Sequence, residues 1–578
     1  MTEAEATRPL FGGDQPQIRL THALLIGIIF LAAFTRLWRL GEPTECYFDE
    51  VYFPTTAAEI LHGHEDAWEF YGHENTHPPL SKDLMAVGEA IFGTRDLHGG
   101  ENTCWGDADD KDKRVSNDWA YKAFGYRFPG ALAGIFSVVF VYLLARKLFE
   151  SEVAGLASGF LLSIDGLVLT QSRIATPDTF VLCFLLGSLY FLLRSPPAFT
   201  RLRDEPAGDG GEPGAGEAPP GLLARIGSTL KLGGSWPLAG LFLGAAAATK
   251  WNGAFVMAPI VIYFAWAIYN RWRDTDKDPR LREAERVLLV GAFASACGVV
   301  AAAAAYVVFG GLSWTVLLIG GVPFVLGIFV IAGGLIAIAT EGRLRNTERG
   351  HLYLSAGYSF PLYFLVIPFG VYMAAYIPMF LEGHGLYHWW DLNRMAYEFH
   401  SSLGTPHPYE SSLWSWPIDM RPVYFYLGTG RAKIYNLGNP IIFWMAIPAL
   451  IFVFWQVVRT IRVRVEAGAR LRVWGTFARD QFIPLFVILS YLSLWLALSA
   501  QKRALFLYHY QPALSIAVLA LGYSCHRLWY HPHPWSRHIV IGFLAASFVT
   551  FLYFFPHWTA IDVPAWWDDS YYWFPSWS

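Results

Sequence analysis

The chain has 578 residues, 54% of them hydrophobic and only 16% charged, with a formal net charge of −4. A soluble globular chain carries about 25% charged residues. The deficit excludes an ordinary soluble enzyme, and the absence of a basic domain excludes a nucleic-acid binder. Apolar runs long enough to cross a bilayer, together with 24 Trp, 29 Tyr and 43 Phe suited to aromatic belts, point to a polytopic membrane protein.

Residues 1–19 are polar, and no small-residue cleavage site follows the first apolar run, so that run is expected to be an anchor and not a cleaved leader. Further spans are predicted in order. After 20–38 they fall near 128–147, 153–171, 178–195, 235–250, 253–271, 287–309, 312–340, 359–381, 438–458, 481–500, 505–525 and 537–555. The expected fold is all-α and polytopic, with about 11–13 transmembrane helices. It divides into an N-terminal membrane module at 1–381, an outer loop at 382–437 and a C-terminal four-helix-type module at 438–578.

Lys and Arg concentrate in alternate loops, at Arg146 and Lys147, Arg194 to Lys231, Arg271 to Arg286, Arg343 to Arg349 and Arg459 to Arg479. The positive-inside rule makes these cytoplasmic and puts 39–127, 172–177, 382–437 and the C-terminal tail outside. Residues 196–234 are rich in Gly, Pro and Glu and cannot bury a core, so they read as a disordered cytoplasmic loop. In the outer loop 39–127, two short helices are expected, from Pro54 to Gly63 and from Pro78 to Gly93, each with an apolar side suited to the membrane surface. Residues 94–120 read as a polar insertion, and the terminal WWDDSYYWFPSWS as an interfacial anchor.

The stretch from Tyr47 to Lys82 carries the chemistry. Asp49 and Glu50 follow the first span closely, and His77, Pro78, Pro79 and Lys82 come after. Carboxylates at a membrane edge are costly and mark function. A solvated loop is the bland alternative. Other polar residues reach the same outer side: Arg127, Asp165, Arg173, Asp178, Lys250, Arg503 and His509. Singly, each has a plain reading. Arg127 suits a helix end, Asp165 a pairing with Arg173, and Lys250 a snorkelling side chain. Jointly they suggest an outer cavity for a charged substrate.

A site outside the cytoplasm has no supply of ATP or nucleotide sugars, so its donor must be carried by lipid. A polyprenyl-phosphate-linked sugar fits. Its phosphate leaves without needing a proton, with Lys and Arg stabilising the charge. The attacking hydroxyl needs a base, and one carboxylate suffices. Direct displacement would invert the anomeric centre.

At these residues the sequence resembles the protein O-mannosyltransferases, membrane glycosyltransferases of the GT-C type, in their shorter bacterial form. The matching pieces are FDEVYF at 48–53, HPPLSK at 77–82, YRFPGALAG at 126–134, DGLVLTQSRIATPD at 165–178, TKWNG at 249–253, YESSLWSWP at 409–417, YNLGNP at 435–440 and RALFLYHYQPAL at 503–514. The resemblance implies transfer of mannose from a polyprenyl phosphate to Ser or Thr of exported proteins. It implies Asp49 as base, Glu50 as a shaper of the site, and Arg127, Arg173 and Asp178 as support. Lys82, Lys250 and Arg503, with His77 and His509, become candidates for holding the donor. No cofactor and no metal is implied. The partners implied are the lipid-linked donor, the exported acceptor and the secretion machinery, with no nucleic acid. The location implied is the cell membrane, with the site on the extracytoplasmic side.

Loop 382–437 has no room for the large insert domain of eukaryotic members, and insertion 94–120 departs from the family pattern. A different sugar or a glycolipid acceptor is the alternative. A transporter or flippase fits less well, since no internal repeat is visible and the charges gather at one face instead of the midplane. Of the five cysteines, Cys183, Cys297 and Cys525 read as packing residues. Cys46 and Cys104 share the outer loop, where a disulfide can persist, and are expected to pair, two free thiols being the alternative.

Overall fold

The computed structural model describes residues 18–71, 74–93, 122–197, 233–275, 278–309, 322–402, 404, 406–466, 479–500 and 503–577. Seven helices among them are long and apolar enough to cross a membrane: Arg19–Leu37, Ala123–Phe149, Trp251–Asp274, Glu348–Ala375, Pro440–Arg462, Phe482–Ser499 and Ser536–Trp558. Shorter apolar helices lie at Glu152–Ser163, Trp236–Thr249 and Val325–Thr340. The architecture is the expected all-α, multi-pass one. The expected loops 94–120 and 196–234 lie almost entirely outside the described residues, as does Cys104.

Two spans differ from their hydropathy. The run expected at 153–171 is two helices, Glu152–Ser163 and Gly166–Gln171. Asp165 breaks it by capping the second helix, accepting from Val168 N at 3.0 Å. Its other oxygen accepts from Asn439 N at 3.0 Å, so Asp165 does not pair with Arg173. The run expected at 359–381 begins earlier, at Glu348, where Thr347 caps Gly350 N at 2.9 Å. Its polar first turn hides the start from a hydropathy reading.

Contacts divide the chain into two compact units. One comprises Ser195–Pro237 and Val261–Val366. In it Leu281, Ala284, Ile338 and Leu344 form a buried cluster. Arg349 pairs with Glu285 at 2.8 Å and Arg271 with Glu348 at 2.7 Å.

The other unit comprises Met1–Arg194, Leu238–Ile260 and Ile367–Ser578, and it holds every residue of the candidate site. Helix Ala123–Phe149 packs against Ile18–Leu37, Leu80–Phe92, Glu152–Ser163 and Asp178–Arg194. Both expected short helices are present, at Phe53–His62 and Leu80–Phe92. Gly63 ends the first with φ 62°, a left-handed conformation that glycine adopts freely. Its membrane-surface placement is not observed: Phe53 to Ile60 are all buried in protein. The second presents Val87 and Ile91 outward. It crosses Ala123–Phe149 closely at Gly88, where a Cβ would collide with the Gly125 carbonyl.

Loop 382–437 is structured. It holds a helix, Leu386–Ser402, a 3-10 turn, Leu413–Ile418, and an antiparallel hairpin of β1 (Val423–Leu427) and β2 (Lys433–Asn436). The C-terminal tail docks on this hairpin. Trp577 is fully buried; its Nε1 donates to Asp419 O at 2.8 Å, and its carbonyl accepts from Tyr435 Oη at 2.6 Å. Asp568 pairs with Lys433 at 2.7 Å. The tail's aromatic run thus serves protein packing, with Trp566 and Trp573 left outward.

Candidate active site

The two adjacent carboxylates have separate fates. Both sit on a 3-10 turn, Phe48–Val51, which points successive side chains to different sides. Glu50 is fully buried and grips Arg127 with two contacts of 2.7 Å. It also accepts from Ala175 N at 2.9 Å and from Tyr47 N at 3.4 Å. Arg127 spends its remaining donors on the carbonyls of Leu40, Pro43 and Glu45. Every charge and lone pair here is answered inside the protein, as a buried pair requires.

Asp49 differs. Among the described residues its carboxylate takes no hydrogen bond and no ion pair, and it keeps accessible surface although protein surrounds it. This enclosure pushes its pKa up to about 6, opposed by Lys250 and reinforced by Asp178 and Glu74, with Arg503 lowering it slightly. An unengaged, partly accessible carboxylate with a raised pKa is suited to accept a proton near neutral pH.

Lys250 lies in the break between Trp236–Thr249 and the following 3-10 turn, and it pairs with Asp178 at 2.9 and 3.1 Å. Asp178 opens helix Asp178–Arg194, where a carboxylate complements the helix N-terminus. The Lys250 ammonium also lies 6.0 Å from the centre of the Tyr508 ring. Arg503 Nη1 donates to His400 Nδ1 at 2.7 Å. A guanidinium can only donate, so Nδ1 accepts and Nε2–H of His400 donates to Thr76 O at 2.8 Å. The His400 ring stacks on His77 at 4.9 Å, and His77 stacks on Phe53 at 6.1 Å. Burial first, then Lys250 beside His77 and Arg503 beside His400, hold both imidazoles low; His400 falls to about 4.

The remaining sequence candidates are structural. Lys82 is fully buried and bonded to Glu74 O, Asn75 Oδ1 at 3.0 Å and His77 O at 3.3 Å, so it shapes the loop carrying His77 and its donors are spent inside the protein. Arg173 donates to the carbonyls of Thr35, Arg36, Trp38 and Arg39, capping the C-terminal end of the first helix. His509 is buried, with Nδ1 at 3.1 Å from Phe506 N. Asp49, His77, Asp178, Lys250 and Arg503 are brought together. His400 and Tyr508 join them without having been singled out. His400 shares the inner face of its helix with Leu392, Asn393 and Ala396, a periodicity visible in the sequence.

The family models that match this multi-pass chain are those of membrane glycosyltransferases. Residues 26–204 and 229–318 match the family described as dolichyl-phosphate-mannose-protein mannosyltransferase. Residues 385–577 match the C-terminal four-transmembrane region of protein O-mannosyltransferases. The chain belongs to the protein O-mannosyltransferase family. A polyprenol-phosphate-mannose–protein mannosyltransferase of Mycobacterium tuberculosis is 26% identical, over 97% of this chain and 93% of that one. Its counterpart in Mycolicibacterium smegmatis is 24% identical, over 95% and 92%. The solved protein O-mannosyltransferase Pmt1–Pmt2 complex of Saccharomyces cerevisiae, bound to its sugar donor, shares the fold with a TM-score of 0.64 at 14% identity, covering 100% of this chain and 94% of that one.

Proposed function

We propose that this chain transfers mannose from polyprenyl phosphate mannose to Ser or Thr hydroxyls of exported proteins, on the outer face of the cell membrane. The observation that carries this reading is the contrast between the two carboxylates: Glu50 is consumed by Arg127, and Asp49 alone is free beside Lys250 and Arg503. The acceptor oxygen attacks the anomeric carbon as its proton passes to Asp49. The bond from that carbon to the phosphate oxygen breaks, and polyprenyl phosphate leaves with the electron pair. Lys250 and Arg503 stabilise the charge on the departing phosphate, so no acid is needed. Displacement from the opposite face inverts the anomeric centre.

The relatives named above, each a lipid-phosphate-mannose–protein mannosyltransferase over nearly its whole length, support the donor and the acceptor class. Lys and Arg in alternate loops support the sidedness. The acceptor would be met as it emerges from the secretion machinery. No cofactor enters the reaction.

The test is transfer from polyprenyl phosphate mannose to a Ser/Thr peptide by purified protein in lipid nanodiscs. Asp49→Asn is expected to lower turnover by about 10²-fold or more while still binding donor. Near-normal transfer by folded Asp49→Asn would remove Asp49 as the base. A β-linked product from a β-linked donor would rule out single inverting displacement.

A further inference from the structure

Phe48, the residue before Asp49, has φ 53°. A non-glycine residue with a Cβ is rarely left-handed, and it holds that conformation only where its surroundings impose it. The surroundings here come from the hairpin, more than 370 residues along the chain. Phe48 stacks on Phe425 with ring centres 4.5 Å apart and planes 28° apart. Its edge meets Tyr508 at 6.1 Å.

Phe425 reaches Phe48 because the hairpin is irregular. Tyr424 pairs with Tyr435 and Tyr426 with Ile434, which leaves Phe425 as the extra residue of a bulge. A bulge breaks the alternation of the strand and re-aims a side chain. Phe425 is buried. Two further contacts hold the same segment. Tyr426 Oη donates to Glu45 Oε1 at 2.7 Å, and the Tyr426 ring lies 5.7 Å from that of Tyr47. The hairpin is in turn braced by the tail through Lys433–Asp568 and Tyr435–Trp577.

We propose that Phe425 is a positioning residue for Asp49: the bulge turns its ring onto Phe48, fixes the left-handed turn there, and so sets where the Asp49 carboxylate points. Glu50 and Arg127 anchor the C-terminal side of the turn. Phe425 anchors the N-terminal side. Two clamps on either flank hold an otherwise unbonded carboxylate in place. The proposal rests on Asp49 being the base.

The test compares Phe425→Ala, Phe425→Tyr, Asp49→Asn and the double variant Phe425→Ala/Asp49→Asn in the full chain in nanodiscs, with donor binding measured separately. Phe425→Ala is expected to lower kcat by about 10–100-fold, the effect of a small misplacement, with donor Kd changed by less than about threefold. Phe425→Tyr keeps the aromatic face and is expected to recover most of the rate. The double variant is expected to be no slower than Asp49→Asn beyond about threefold, because Phe425 acts only through Asp49. If Phe425→Ala does not fold, Phe425→Leu replaces it, keeping apolar volume without a flat ring. Normal kcat in folded Phe425→Ala or Phe425→Leu, parallel loss of donor affinity, or full multiplication of the two losses in the double variant would overturn the proposal. The two readings fail differently. Normal transfer by Asp49→Asn removes the base itself. A slow Asp49→Asn beside a normal Phe425→Ala removes only the clamp.

Discussion

Glu50 and Arg127 form a bidentate ion pair closed to solvent on both sides, with each contact at 2.7 Å. The pair ties the loop after the first helix to helix Ala123–Phe149 and, through Ala175 N, to the segment before Asp178. It lets the neighbouring Asp49 stay unengaged. A turn that had to be held by Asp49 itself could not also offer that residue to a substrate.

Glu50→Gln is expected to be a stability variant first. It leaves the buried Arg127 charge uncompensated, which costs about 3–5 kcal/mol when one partner of such a pair is removed. Thermal unfolding in detergent should show a clear fall in Tm, and Glu50→Gln/Arg127→Met should recover part of it. A Glu50→Gln protein as stable as its parent would show that the pair is not structural.

The FDEVYF and TKWNG motifs locate the site in the sequence, and the family resemblance implies Asp49 as base and Glu50 as shaper, but the physical reason for that division is not readable there. It depends on Arg127, 77 residues away, reaching Glu50 and not Asp49. Lys82 reads as a cation for the donor and Arg173 as support for the site because charge is visible in sequence and burial is not. Their donors go to backbone carbonyls. The hairpin had a local signal in VYFYL, GTG and KIYN, yet no periodicity reveals that a bulge turns Phe425 toward Phe48. The spans were readable wherever they are apolar throughout. They were misread where a capped polar turn opens a helix, at Thr347, or breaks one, at Asp165.

His400 is expected to act through Arg503. Its Nδ1 accepts from the guanidinium, whose Nε has no partner among the described residues. His400→Phe keeps the ring stack but removes the acceptor. A bond to a charged group contributes about 1.5–3 kcal/mol, so donor KM should rise by about tenfold or more. His400→Asn puts an acceptor near the Nδ1 position and should restore much of it. Equal KM values for the two variants would detach His400 from Arg503.

Cys46 is disulfide-bonded, while Cys183, Cys297 and Cys525 are free. We expect Cys104 as its partner. Non-reducing peptide mapping of protein kept oxidised should recover a Cys46–Cys104 peptide, and two free thiols would refute the pairing. A closed loop of that length stabilises by roughly 4 kcal/mol in the chain-entropy model, so Cys46→Ser should lower Tm.

Sidedness is tested with single cysteines at Thr429 and Arg345, both exposed. In intact cells an impermeant thiol reagent should label Thr429→Cys, on the hairpin turn, and spare Arg345→Cys until the membrane is opened. The reverse pattern would put Asp49 on the cytoplasmic side, where a lipid-linked donor is no longer the only one within reach.

The pH profile of kcat/KM reports the base in the free enzyme. As the proposed base Asp49 must be a carboxylate, and enclosure by protein raises its pKa to about 6. With an acceptor peptide free of titrating groups, the rate should be flat above about pH 7 and fall tenfold per unit below about pH 6. The donor is a phosphodiester and does not titrate there, and His400, held near 4, titrates below that limb. Lys250 lowers the Asp49 pKa, so Lys250→Met should move the limb to higher pH. Lys250 also stands as a donor contact, so the same change should lower the plateau; the position of the limb is read independently of its height. Asp49→Asn should leave a slow residual rate without the limb. A limb near pH 4 that Lys250→Met does not move would assign the titration to an unperturbed carboxylate elsewhere, and Asp49 would lose its claim to the proton.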